Sequence, residues 1–263
     1  MAQVHASEGL THWYGQDGSP KYTLIGANGK ERNTTLRDAR KLGLVPSVTT
    51  ILKCADKPAL NDWKANQLML AALTLPRIDG EPEEDWLARV KHDSKETARK
   101  AAERGVAIHA AIQGHYEGQQ PHEDFWPHVK GADAAIEEHF QIKPYPFMTP
   151  EFAFAHPLGF GGKVDLHGAD IVLDFKSKEF GPDKELETYD EHAMQLAAYR
   201  HGLGMEKARC AIVYVSVTNP GLAKLIEIPQ KDLSKGWRMF YSLLQYWKAA
   251  REFECGFEKA LAA

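Results

Sequence analysis

The spacing of apolar positions switches between helical and strand periods along the chain. Thr35 to Leu42 predicts a short helix closed by Gly43, and Ser47, just after Pro46, reads as the N-cap of another. Lys57 to Leu73 predicts a longer helix with Pro58 in its first turn. Glu83 to about Tyr116 predicts one long helix, or two broken near Gly105, and Phe125 to Phe140 predicts a further one. Ahead of these, residues 10 to 30 read as a hairpin. In it His12-Trp13-Tyr14 and Tyr22-Thr23-Leu24-Ile25 flank a Gln16-Asp17-Gly18-Ser19-Pro20 turn.

The second half turns to strand periods. Glu151 to His156, Phe160 to His167 and Asp170 to Lys176 predict three strands, and Glu187 to Gly202 predicts a helix. Ala208 to Ser216 follows as a buried strand, Leu222 to Ile228 as an edge strand, and Lys231 to Phe257 as a long C-terminal helix. The α-β-β-β-α-β order predicts an α/β fold, a mixed central sheet flanked by helices. Residues 1–95 are expected to form an N-terminal hairpin and helical cap or arch subdomain, and residues 96–263 the core with its C-terminal helix.

Two of these strands carry carboxylates where a half-buried strand would not want them. A short turn at His167-Gly168-Ala169-Asp170 folds the first run back antiparallel, which can bring Asp165 beside Asp174. Side chains alternate along a strand, so Asp174 and Lys176 share a face while Leu173 and Phe175 point into the core. Two carboxylates repel unless a cation lies between them, and hard oxygen ligands suit Mg²⁺ or Mn²⁺. With a lysine to hold or deprotonate a metal-bound water, this is equipment for hydrolysing a phosphodiester. The bland alternative is a hairpin with solvated ends and an exposed ion pair of little energetic worth. A second Asp-x-Lys, Asp62-Trp63-Lys64, falls in an expected helix, where positions two apart do not share a face.

From about Gly105 to Ser216 the chain resembles the PD-(D/E)XK nuclease superfamily, and within it the RecB-like exonuclease branch, which includes the mitochondrial genome maintenance exonuclease. The resemblance rests on an ordered set of elements: Gly105-Val106-Ala107-Ile108-His109 for G-x-x-x-H, a first strand opening on Glu151, and Gly162-Lys163-Val164-Asp165 for G-x-x-D. Asp174-Phe175-Lys176 then matches D-x-K, and Gln195-Leu196-Ala197-Ala198-Tyr199 matches Q-x-x-x-Y. Val164 stands where the family's leading proline would be. Pro46-Ser47-Val48-Thr49-Thr50-Ile51-Leu52 followed by Trp63 looks like the N-terminal helical region of the mitochondrial enzyme and its phage relatives.

The resemblance implies a restriction-endonuclease-like core and a metal-dependent DNA exonuclease of replication, recombination or repair, plausibly of phage or prophage origin. Asp165, Asp174 and the Phe175 carbonyl would bind Mg²⁺ or Mn²⁺, and His109 would add a nitrogen ligand that favours Mn²⁺. Lys176 would orient or activate the attacking water. Glu151 would reach a metal through water or act behind the ligands. Gln195 and Tyr199 would contact the DNA backbone or steady the lysine, and Lys178 would either touch phosphate or be solvated. The substrate would be single-stranded DNA or DNA with free ends, with a helicase or recombinase partner left open. An endonuclease of the same fold and a non-catalytic DNA-binding protein are the alternatives.

Composition adds limits. The 263 residues, 43% hydrophobic with six tryptophans, suit a globular protein. No apolar run approaches the ~20 residues that cross a bilayer, and Met1-Ala2-Gln3-Val4-His5 lacks a signal pattern. No membrane partner and a cytoplasmic location, in a bacterium or phage-infected host, are therefore expected. Cys54, Cys210 and Cys255 cannot supply the four ligands of an iron–sulfur cluster, so none is expected. The net charge of −4 is unusual for a DNA-binding protein. Basic residues are dense only along Arg89, Lys91, Lys95, Arg99, Lys100 and Arg104. Trp63 and Trp86 are available for base stacking from the expected cap, or for packing inside it.

Overall fold

The computed structural model describes residues 11–257; Met1 to His5, read above for a signal pattern, lie outside them. In the N-terminal part, β1 (Trp13–Tyr14), β2 (Thr23–Ile25), β3 (Glu31–Asn33) and β4 (Val45–Pro46) are short. Helices α1 (Leu36–Leu42), α2 (Val48–Leu52), α3 (Pro58–Thr74), α4 (Glu83–Tyr116) and α5 (Trp126–Phe140) accompany and follow them. Then come β5 (Thr149–His156), β6 (Phe160–His167), β7 (Ile171–Lys178), α6 (Asp190–Gly202), β8 (Arg209–Ser216), β9 (Ala223–Ile228) and α7 (Gln230–Ala250).

The main sheet has five strands in the order β5-β6-β7-β8-β9. Only β7 and β8 are parallel, with α6 as their crossover; every other pairing is antiparallel. The sheet is mixed, as the order of elements predicts. Both faces are covered. Val172, Ile212 and Tyr214 pack with Leu196, Ala197, Phe240 and Trp247 on one side. Leu173, Phe175, Ala211 and Val213 pack with Ile108, Ile112, Val129 and Ile136 on the other. Each large apolar side chain buried in this way stabilises the fold by roughly 1.5–3 kcal/mol.

Helices α6 and α7 approach closely because α7 offers Gly236 at the crossing, where a Cβ would stand 2.6 Å from the Ala193 carbonyl carbon. That contact clamps α6, which carries Gln195 and Tyr199.

Three expectations need correction. The N-terminal hairpin does not pair as read: β1 pairs with β4, and β2 pairs with β3 across the Ala27-Asn28-Gly29-Lys30 turn. The two segments still meet around the turn: Tyr14 and Pro20 form an isolated antiparallel bridge, Lys21 N–H donates to the Trp13 carbonyl at 2.8 Å and Gly15 N–H to the Ser19 carbonyl at 2.8 Å. The C-terminal helix stops at Ala250, not near Phe257. Glu252 takes a left-handed φ of 45°, and Phe253 folds back on Trp13 and Trp247, 5.6 and 5.2 Å away between ring centroids. Last, the expected boundary at residue 95 falls inside α4, which runs unbroken through Gly105. Trp13, Val45, Val48 and Ile51 share one core with α6 and α7.

Candidate active site

The site forms where the sheet comes apart. β6 and β7 pair only through Leu166–Leu173 and His167–Val172. At the next position no rung forms; the Asp165 Oδ2 instead accepts the backbone N–H of Phe175 at 2.9 Å. The N–H and C=O of one strand residue point to the same side, so the Phe175 carbonyl faces the same gap. β6 is loosened on its other edge as well. Its pairing with β5 joins Pro150–Leu166 and Phe152–Val164 but skips Glu151 opposite Asp165. Glu151 lies in the left-handed region at φ 52°, which costs a non-glycine residue on the order of 1–3 kcal/mol. Val164 and Leu166, two apart, enter the cores on opposite faces of the sheet. Strand β6 therefore twists through Asp165, and Asp165 is free of both neighbouring ladders.

Asp174 is 1% exposed, on the α6 face of β7. Its Oδ1 accepts a 2.8 Å bond from Gln195 Nε2. Its Oδ2 forms an ion pair with Lys176 Nζ at 2.5 Å. Gln195 also donates to the Tyr199 hydroxyl at 3.0 Å and accepts from Lys176 Nζ at 3.4 Å. Gln195 and Tyr199 are buried at 6% and 4%. Gln195 contacts Asp174 and Lys176, while Tyr199 bonds Gln195, packs on Phe154 and lines the cleft. Lys178 ends β7 and is exposed. His109 reaches in from α4, its Nδ1 3.9 Å from Asp165 Oδ2 and its ring edge-on to Phe175.

Charge is poorly matched in this cleft. Burial, then the neighbouring Asp174 carboxylate, push Asp165 well above the ordinary carboxylate range, although 21% of its side chain still meets solvent. Burial opposes the Lys176 charge, yet Asp174 and Asp165 hold its ammonium above the usual value. Burial drives His109 down to about 4, leaving a neutral imidazole able to act as a ligand.

Among the described residues no three His, Cys, Asp or Glu side chains converge as a ready-made metal cage. The donor set still fits Mg²⁺ or Mn²⁺, which are held through one or two carboxylates and keep several waters. It comprises two adjacent carboxylates, a backbone carbonyl facing the gap, and a neutral imidazole beside them.

His109, Phe175 and Lys176 line a cleft of about 1000 Å³ that α4 bounds through Gly105, His109 and Gln113; Asp165 and Asp174 do not themselves line it. On the other side it is lined by Tyr22, Thr49 and Lys163. Glu151 and Lys163 form an ion pair there. Lys163 is a cleft residue that the sequence reading does not single out; its place inside the Gly162–Asp165 motif is the available signal. Gly105 packs on Ser177, where a Cβ would lie 3.3 Å from the serine Cβ. The second Asp-x-Lys lies within α3 and takes no part. Arg89 and Arg99 are engaged by Glu81 and by Glu96 and Glu103. Trp86 donates to the Leu75 carbonyl, and Trp63 is 41% exposed. Cys54 is half-buried, and Cys210 and Cys255 are buried. No helix among the described residues is long and apolar enough to cross a membrane.

No protein-family profile and no curated protein matches the chain. Thirteen solved chains match in structure. One, from Eubacterium rectale, is described as a "Putative exonuclease": 13% identity, TM-score 0.41, covering 57% of this chain and 68% of its own. Another, SSO0001, shares 13% identity at a TM-score of 0.27, covering 70% of this chain and 86% of its own. At these scores the likeness is partial, and the functional conclusion rests on the cleft itself.

Proposed function

We propose that this protein is a metal-dependent deoxyribonuclease with a restriction-endonuclease-like core, acting as an exonuclease on single-stranded DNA or DNA with free ends. The observation that carries the reading is the split between β6 and β7. It sets Asp165 and Asp174 side by side, with Lys176 against Asp174 and Gln195 bonded to both Asp174 and Lys176. Two adjacent carboxylates, one buried and one largely so, repel each other unless a cation lies between them.

Asp165, Asp174 and the Phe175 carbonyl would hold the divalent ion, with His109 as a nitrogen donor. The ion, when bound, supplies Lewis acidity to a phosphoryl oxygen and lowers the pKa of a water. The Lys176 ammonium orients that water and offsets charge developing on the phosphate. Gln195 holds Asp174 and Lys176 at a fixed separation, and Tyr199 braces Gln195 from the next helical turn.

The test is degradation of end-labelled linear single-stranded DNA with Mn²⁺, Mg²⁺ or EDTA, beside an Asp174→Ala variant and a circular single-stranded substrate. Metal-dependent loss of the linear DNA alone, absent in the variant, is the expected result. Cutting of the circle replaces the exonuclease with an endonuclease. Binding of DNA without cutting under either metal replaces both with a non-catalytic binding role.

A further inference from the structure

The nuclease reading, on which this inference rests, leaves one cation of the cleft without a task. Lys176 is engaged by Asp174 and Gln195. Lys163 also lines the cleft, two residues before Asp165, with 39% of its side chain exposed. Its partner is Glu151, the strained residue that the β5–β6 ladder skips. The left-handed turn takes Glu151 out of the ladder, and its carboxylate meets Lys163. The carboxylate faces the Lys163 ammonium at the mouth of the gap that the skipped position leaves. Lys163 keeps 39% of its side chain in solvent against 19% for Glu151, so a phosphate entering the cleft can reach the ammonium beside the carboxylate. The Tyr22 hydroxyl and the exposed Thr49 line the same side of the cleft and bring neutral donors.

We propose that Lys163 binds a non-scissile backbone phosphate of the DNA strand, and that Glu151 holds the lysine in position until the strand arrives. The contact is to phosphate and carries no base preference. It sets the register of the strand along the cleft, so that the next phosphate falls at Asp165 and Asp174.

Anisotropy of a labelled single-stranded oligonucleotide in EDTA, titrated with salt, tests this on the full chain, with Mn²⁺-dependent cleavage run in parallel. Lys163→Ala is expected to weaken binding roughly tenfold, the weight of one charge-assisted hydrogen bond. It should also shallow the log–log salt dependence by about 0.7. The loss should appear in KM rather than in kcat. Lys163→Arg should restore binding, and Glu151→Gln, which frees the lysine, should tighten it. Equal affinity and equal salt slope for wild type and Lys163→Ala overturn the assignment. So does a Lys163→Arg variant that binds as poorly as Lys163→Ala and melts as early, since the lysine is then structural. A wild type that binds DNA but never cuts it overturns the nuclease reading while the anisotropy still decides on Lys163. A wild type that does neither overturns both.

Discussion

Asp165 bonds the Phe175 N–H through its side chain at the position where β6 and β7 would otherwise have exchanged backbone bonds. One carboxylate thereby closes the ladder and opens the site. The two roles are separable. Asp165→Asn keeps an acceptor for the Phe175 N–H and removes the charge that burial and Asp174 disfavour. The variant is expected to melt no lower than wild type, with a gain of up to about 1–2 kcal/mol, while cleavage falls by roughly 10²–10³. Thermal unfolding and a cleavage assay on one preparation check both halves; a variant that loses stability together with activity contradicts the division.

Gln195 should behave in the opposite way. Its amide satisfies Asp174 and Tyr199 and meets Lys176. Gln195→Ala leaves the buried Asp174 oxygen without a donor, at a cost of about 1–3 kcal/mol. It also loosens Lys176, lowering cleavage roughly 10–100-fold. Urea unfolding measures the first effect and kcat the second; a variant unchanged in both removes Gln195 from the site.

Metal binding has a readout that needs no substrate. A ligand of the native state at a hundred times its Kd adds about 2.7 kcal/mol, which for a chain of this size raises Tm by roughly 5–10 °C. Mn²⁺ is expected to produce this rise, more than Mg²⁺ because of the His109 nitrogen, and EDTA to reverse it. Asp174→Ala should show no rise. A shift of equal size in that variant places the ion elsewhere.

Acid stability should depend on a pair far from the cleft. Arg209, bonded to Glu227 at 2.8 and 2.5 Å, holds that carboxyl down at about 2, with burial opposing and His139 assisting. A carboxyl depressed in the native state contributes fully above its unfolded value of 4.5 and loses the contribution as pH falls toward 2. Glu227→Gln should flatten the stability curve across that window and leave it unchanged in shape above pH ~5. Denaturation monitored by circular dichroism from neutral to acid pH decides it. Both side chains are part-exposed, so the effect is modest.

What was legible in the sequence follows from which signals are local. The Asp174-Phe175-Lys176 alternation needs only a strand, and β7 is one, with Leu173 and Phe175 in the core as that pattern requires. Gly43, left-handed at φ 65°, ends α1 where glycine is expected. The N-terminal pairing was not legible, because two-residue strands carry too little pattern to choose a partner and Val45–Pro46 reaches Trp13 from far along the chain. Nothing local announces a left-handed Glu151, a conformation imposed by the register of β5 on β6. Lys163 carries no local signal for the same reason: its partner is set by the position at which the β5–β6 ladder skips Glu151. Gln195 and Tyr199 were expected at the lysine or on DNA, and only their burial shows which contact the free protein makes.

The unbroken course of α4 has a mechanical consequence. A 34-residue helix is about 50 Å long. Its last turns are embedded beside β7 and α5 through Ile108, Ile112 and Tyr116, while its first turns are packed along α3. Gly105 against Ser177 acts as the fulcrum. From there the long arm to Glu83 measures about 33 Å and the short arm to His109 about 6 Å. The gearing is therefore steep. A swing of several ångströms at the tip would reach the imidazole as less than one, so a displacement of the outer helices would leave His109 close to its 3.9 Å distance from Asp165.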